Sequence, residues 1–548
     1  MITVSIRYFN LLAAFAGVKQ ESRSVPEGTT IGELIELLAA QRPGAFGETL
    51  LHNGRPSPHL RVFRNETPLN PQDMTAPLAE GDALILFPAV AGGSLDETAG
   101  FTQPDGAPAG TLILPEWLIV SALDAPRRGF GVRVVGDRIT EVAAHDSLLR
   151  RYPQDEVIRA GEQVLSPGFV NTHTHLYGVL AHGIPLARAP EGFWPFLKDF
   201  WWPQVEDRID GGMLRAAVDA QCRQMVRSGV TSFYDCLEAP NALPHCLELE
   251  AEVVSRHGLR AILSFEATQR AGQDKAQLGL AENYRFTAGR RGSAGLIHGL
   301  MCFHTTFTCD GAFIRQAFAM AGELGCLVHM HLAEGAYEPE AALRAFGLRP
   351  VRYYDRLGVL GPGMLASQCV QLSEEEIGLL AARGARVAHM PLSNCEVGGG
   401  IAPVPQLLAA GITLGLGSDS YIDNFFEVMR GAFLIHKAAH RDPRVMPAAQ
   451  VYYLATEGGA RALNLPEVGR LSPGWKADLQ LIDARFPTPA GEWNLYDQII
   501  LYRNPEHVRL VMVDGKILLR DTLLALGGEA ESRTVLLKEA ERLWRKAL

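Results

Sequence analysis

The chain opens with an alternation of apolar and polar positions, Ile2, Val4 and Ile6 separated by Thr3 and Ser5. A period of two predicts a half-buried strand. Thr29 or Thr30 can cap a helix over Ile31–Ala40, and Pro43-Gly44 ends it. Strand patterns return at Arg61–Asn65 and Asp82–Phe87, an order compatible with a β-grasp fold over residues 1–93. The apolar run Phe9–Val18 follows Arg7 but lacks a cleavage site, so it reads as folded chain rather than a signal peptide. Residues 94–110 are rich in Gly, Pro, Ala and polar residues without periodicity, and read as a flexible linker open to proteases.

Strand patterns resume at Thr111–Leu114, Leu118–Val120 and Gly131–Val142. A similar set lies at Asp478–Ile482 and Val508–Leu519, with Asp514-Gly515 as a hairpin turn. Between these flanks apolar runs alternate with helical patterns. The runs include Gly229–Tyr234, Leu259–Phe265, Cys326–His331, Ala385–His389 and Ile412–Leu416. Strands alternating with helices over this length predict an α/β protein with a (β/α)8 TIM barrel at residues 166–465. The flanks, 111–165 and 466–525, are expected to join as a small composite β-sandwich. Residues 526–548 close the chain, with an amphipathic helix from about Ser532.

Composition narrows the class. Of 548 residues, 47% are hydrophobic and 20% charged, which excludes wholesale disorder, a collagen-like fibre and a coiled coil. The net charge of −10 provides no basic field for nucleic acid or anionic lipid. No run approaches the roughly 18 apolar residues of a membrane span. The eight cysteines contain no C-x-x-C pair. That usage suits a reduced, cytoplasmic protein rather than a disulfide framework.

The sharpest chemical signal is Ser166-Pro-Gly-Phe-Val-Asn-Thr-His-Thr-His175. His173 and His175, two apart on a strand, share one face and can grip a divalent metal at a barrel mouth. Three later strand ends strengthen the reading: His329-Met-His331-Leu-Ala-Glu334, Ala388-His-Met-Pro-Leu-Ser-Asn394 and Leu414-Gly-Leu-Gly-Ser-Asp419. His329 is expected on the opposite strand face from His331, as packing. The aromatic run Phe193–Trp202 suits either a substrate lid or a core helix, and Gly398–Gly400, without a following G-K-[ST], suits a turn.

Two resemblances follow from these motifs. Arg7-Tyr-Phe9, Leu78–Asp82 and the ending Pro88-x-Val-Ala-Gly-Gly93 are similar to the MoaD/ThiS ubiquitin-like sulfur carriers, whose terminal Gly-Gly is activated as an acyl-adenylate. The resemblance implies a MoeB/ThiF-like activating enzyme as partner and Gly92-Gly93 as carrier tail. Here Ser94 and the rest of the chain follow Gly93, so either a processing protease cuts there or the module is a retired carrier. Residues 111–525 resemble the amidohydrolase superfamily, in its chlorohydrolase, cytosine deaminase and guanine deaminase branch. Trp201-Trp202 and Gly415–Phe426 are similar to the aminohydrolases called SsnA.

That second resemblance implies metal ligands His173, His175, His331 and Asp419 and one divalent ion, Zn2+ or Fe2+. It implies Glu334 and Asp419 as proton-handling groups and His304, His389 and Trp201 as substrate contacts. For His304 and His389 a hydrogen-bonded core histidine is the competing reading. One departure stands out: where relatives carry an Ala-His-Cys-x-His strand end, this chain has Ala366-Ser-Gln-Cys-Val-Gln, so Gln368 replaces a histidine. Glutamine does not change charge near neutrality, though it can hydrogen-bond a water. The leading function is metal-dependent hydrolytic deamination of a small purine- or pyrimidine-like heterocycle. Hydrolysis of a cyclic amide or another leaving group in the same site is an alternative. A noncatalytic accessory role in molybdenum-cofactor sulfur metabolism is another. Relatives of this kind also imply a homo-oligomer.

Overall fold

A computed structural model describes residues 1–88, apart from 9, 10, 17, 19, 43, 53, 54, 58, 59, 66 and 70, and residues 109–547, apart from 187 and 421–423. Gly92, Gly93 and the expected linker as far as residue 108 lie outside the described residues.

In the N-terminal module the alternating pattern forms the strand Ile2–Tyr8, paired antiparallel to Gln20–Val25 and parallel to Ala83–Pro88. Leu60–Arg64 flanks Ala83–Pro88 on its other side. The helix Ile31–Gln41 starts at a capping box, with Thr30 Oγ1 accepting from the Glu33 N–H and the Glu33 carboxylate accepting from the Thr30 N–H. Ile31, Leu34, Ile35 and Leu38 share one core with Val4, Ile6, Val62 and Leu84. The strand Gln20–Val25 had no apolar alternation to announce it. It sits at the sheet edge and buries only Val25.

Strands from both flanks form a single nine-stranded sheet. Thr111–Leu118 and Glu156–Pro167 from one side join Leu479–Asp483 and Val508–Val513 from the other. Ile113, Val132, Leu165, Leu479 and Leu510 make its own core. At the expected hairpin both Asp514 (φ 50°) and Gly515 (φ 75°) are left-handed, as a two-residue hairpin loop requires.

The barrel strands are β1 (Phe169–Thr174), β2 (Val230–Leu237), β3 (Arg260–Phe265), β4 (Ile297–Gly299, continued by Met301–Cys302), β5 (Val328–Leu332), β6 (Met364–Gln368), β7 (Arg386–His389) and β8 (Thr413–Leu416). Neighbours run parallel throughout. The break in β4 is spanned by a bridge from Ala267 to Phe303, and β8 closes on β1 through Thr174 and Asp419. Every residue of β1, β2, β3, β5 and β6 is buried, polar residues included, as in a parallel sheet covered on both faces. The C-terminal helix spans Glu529–Ala547, and Trp544 Nε1 donates to the Leu180 carbonyl at 2.7 Å. Among the described residues no helix is long and apolar enough to cross a membrane.

One buried ion pair ties barrel to flanking sheet. Arg260, at the start of β3, donates to Asp478 at 2.8 and 3.1 Å and to Asp514 at 2.8 Å. Asp478 also accepts from the Asp514 N–H at 2.8 Å. Removing the guanidinium leaves Asp478 buried without its charge partner. Arg260→Ala is therefore expected to lower unfolding stability by about 3–5 kcal/mol. Denaturant titration against wild type checks this, with the exposed-pair variant Arg344→Ala as a control expected within about 0.5 kcal/mol.

Candidate active site

The site lies at the C-terminal ends of the barrel strands, where a barrel builds its chemistry from several strands at once. β1 delivers His173, the residue following that strand is His175, β5 delivers His331, and the turn after β8 delivers Asp419. Donor nitrogens of the three histidines lie within 4.8 Å of one another. Asp419 Oδ1 sits 3.3 Å from both His173 Nε2 and His175 Nε2. His175 Nδ1 faces the Cys236 carbonyl at 2.5 Å. A carbonyl only accepts, so Nδ1 carries the proton and Nε2 keeps its lone pair free, as a metal ligand must.

Electrostatics favour a cation here. Burial pushes His173 down to about 4 and lowers His175, the direction that favours the unprotonated ring a metal ligand needs. Burial also works against a charged His331, but Glu266, Glu334 and Asp419 together push it up to about 10. The carboxylates thus demand positive charge at the centre of the cluster. Burial would raise Asp419, yet His173, His175 and Ser393 hold it well below the usual carboxylate range. Neither nitrogen of the fully buried His173 makes a hydrogen bond among the described residues. A divalent ion bound by His173, His175, His331 and Asp419 would answer each of these conditions.

Asp419 is held from behind. Its Oδ2 accepts from Ser393 Oγ at 2.6 Å and from Gln368 Nε2 at 3.1 Å, leaving Oδ1 to face the histidines. Gln368 Oε1 in turn accepts from Asn394 Nδ2. Gln368 (φ 73°) and Asp419 (φ 59°) both occupy the left-handed region that side chains avoid, strain of about 1–2 kcal/mol each that the network sustains. The glutamine is therefore a satisfied member of the site. It supports the second carboxylate oxygen.

Glu334 joins the same recess, and burial pushes its carboxyl up to about 8. The recess is narrow and opens to solvent, with Glu206, Glu238, Glu266, Gln368 and Asp419 among the polar residues of its wall. His304 and Trp201 line it, together with Phe193, Phe196 and Trp202 of the aromatic run. That run contains a π-helical segment, Phe196–Val205, so it walls the site while still burying Phe200 and Trp201. His304 Nδ1 pairs with Thr308 Oγ1 at 2.9 Å, and burial pushes the ring down to about 3.

Two sequence readings need correction. His389 is not among the recess residues, and its Nε2 meets His436 Nε2 at 3.1 Å, buried behind β7. It follows the core-histidine reading, with the two imidazoles buried against one another. His329 does not point away from His331: residues two apart share a strand face, and the His329 ring stacks on His173 with centroids 4.9 Å apart. Sequence reasoning also missed Glu266, whose Oε1 lies 3.1 Å from His331 Nδ1. It directly follows β3, and an acidic residue at that strand end was the available signal. Glu206 and Glu238 also line the recess, each paired with Arg270 at 2.8 and 2.5 Å, and they carried no recognisable motif.

Because outer contacts tune a ligand's orientation, Gln368→Leu is expected to weaken metal affinity about 10- to 100-fold. Competition titration against a chromogenic chelator measures it. Unchanged affinity would show that the amide only fills space.

Comparison with known proteins agrees with this geometry. Residues 164–518 match the amidohydrolase family, and residues 6–93 match the ThiS family. The chain is 33% identical over 404 residues to a 5'-deoxyadenosine deaminase of Methanothermobacter thermautotrophicus, covering 72% of this chain and 90% of that protein. It is 34% identical over 398 residues to a 5-methylthioadenosine/S-adenosylhomocysteine deaminase of Nitratidesulfovibrio vulgaris, covering 70% and 86%. Among solved structures, an adenosine deaminase of Xanthomonas campestris with bound zinc superposes with a TM-score of 0.72 at 25% identity, covering 80% of this chain and 99% of that one. With a metal-ready histidine and aspartate cluster at the mouth of its barrel, the chain belongs to the amidohydrolase family, preceded by a ThiS-family module.

Proposed function

We propose that this protein is an aminohydrolase that removes the exocyclic amino group of an adenosine-type purine, using one zinc ion. The observation that carries the reading is that Asp419 and Glu334 line one recess beside His175 and His331, with the Asp419 carboxyl held below the usual carboxylate range by its histidine neighbours and Ser393 and the Glu334 carboxyl pushed up to about 8 by burial. Two carboxyl groups of unequal pKa in one pocket supply a base and an acid at the same pH. The names of the two relatives given above, both deaminases of adenosine-type substrates, support the substrate class.

His173, His175, His331 and Asp419 would hold the ion. When bound it makes water a competent nucleophile near neutral pH. Asp419 takes the proton of the attacking water, with Gln368 and Ser393 keeping its second oxygen occupied. Glu334 gives its proton to the ring nitrogen beside the carbon under attack, so negative charge does not accumulate on the ring. A proton then passes to the amino nitrogen, the C–N bond breaks, and ammonia leaves; water supplies the new carbonyl oxygen. His304, neutral, offers Nε2 to the substrate, and Trp201 and Trp202 wall a planar ring. Glu206 and Glu238 can accept hydrogen bonds from hydroxyl groups such as those of a ribose.

Zinc-loaded protein is expected to release ammonia from 5'-substituted adenosines, with the absorbance change of adenine to hypoxanthine. Glu334→Gln is expected to lower kcat about 100- to 10,000-fold while the protein keeps its metal. Absence of turnover on any adenosine-type substrate by the zinc-loaded wild type would overturn the reading.

A further inference from the structure

Beneath the catalytic cluster, one layer deeper in the barrel, three soft donors converge. Cys236 of β2, Cys302 at the end of β4 and His329 of β5 all point inward and are fully buried. Cys236 Sγ and Cys302 Sγ are 3.5 Å apart, and His329 Nδ1 lies 3.4 Å from Cys302 Sγ and 3.8 Å from Cys236 Sγ. A tetrahedral zinc with Zn–S near 2.3 Å and Zn–N near 2.05 Å requires S···S of about 3.8 Å and S···N of about 3.6 Å. The three observed edges match that triangle to within about 0.3 Å.

We propose that Cys236, Cys302 and His329 form a second, structural zinc site, distinct from the catalytic one. The His173 ring, stacked on His329, separates the two. Thiolate, thiolate and neutral imidazole around Zn2+ sum to zero charge, which suits a position sealed from water. Cys236 Sγ donates to Glu266 Oε2 at 3.3 Å, a contact that loading would break. Loading replaces two S–H bonds by two Zn–S bonds and releases two protons to solvent. His329 Nε2 has no hydrogen-bond partner among the described residues, so no donor or acceptor locks the ring against Nδ1 coordination. The site would also brace the catalytic centre, because the Cys236 carbonyl is the acceptor that orients His175.

Elemental analysis of zinc-replete full-length protein tests this, together with electronic spectra after cobalt substitution. Wild type is expected to hold two ions per chain. Cys236→Ser/Cys302→Ser should keep only the catalytic ion, and His331→Ala only the deep one. Cobalt-loaded wild type and His331→Ala should show thiolate-to-cobalt charge transfer in the near ultraviolet, which the catalytic set, having no sulfur, cannot produce. One ion that is lost in His331→Ala but kept by the serine variant overturns the proposal. So does cobalt-loaded wild type without the thiolate band, or a Cys236–Cys302 disulfide in the native protein. One ion lost with the cysteines but kept by His331→Ala supports this site and counts against the catalytic one. Should the serine variant fail to fold, the spectra of wild type and His331→Ala decide.

Discussion

Closure of the barrel and assembly of the site are the same set of contacts. β8 meets β1 where the Ser418 and Asp419 N–H groups donate to the His173 carbonyl, each at 3.1 Å. The Asp419 carbonyl accepts from the His175 N–H at 3.2 Å and from Thr174 Oγ1 at 2.5 Å. The backbone that seals the cylinder thereby sets the carboxylate of Asp419 against His173 and His175. A change that loosens this seam disturbs fold and chemistry together. This coupling explains why the left-handed backbone at Asp419 is tolerated: cross-strand hydrogen bonds over-determine it.

Around that seam the protein assembles a cluster of buried carboxyl groups. Glu266, Glu334 and Asp419 crowd His331 from several strands, while Glu206 and Glu238 share Arg270 at the outer wall. Each carboxylate alone would be costly to bury. Their common solution is a positive centre, Arg270 for the outer pair and His331, pushed up to about 10, for the inner group. The aromatic segment Phe193–Trp202 then covers the recess, and its π-helical winding brings Phe196, Leu197, Trp201 and Trp202 to the pocket. Low dielectric and convergent charge belong together here, since exclusion of water strengthens every one of these interactions.

Gln368 shows how a departure from a family pattern can be absorbed. A histidine at this position could titrate; the glutamine instead spends its two polar ends on Asp419 and Asn394. Asn394 and Ser393 come from the helix following β7, so three strand ends converge on one carboxylate. The site trades a titratable group for a fixed bridge.

The sequence alone announced the barrel and the β-grasp module, and through its motifs and the family they resemble it singled out His173, His175, His331, Glu334 and Asp419, which the fold brings to one barrel mouth. The elements are legible because apolar periodicity is local, and the residues because each sits in a short motif at one strand end that resembles a known family. The edge strand Gln20–Val25 was not legible, since an edge needs no apolar alternation. Only the tertiary structure decided the role of Gln368, which lies 51 residues from Asp419, and brought Glu266 to His331. It turned His389 away from the recess towards His436, and gathered Cys236, Cys302 and His329 from three strands into one layer. The reason is geometric: inward-facing residues of a closed barrel meet across its axis, and no pattern along the chain records which of them share a layer.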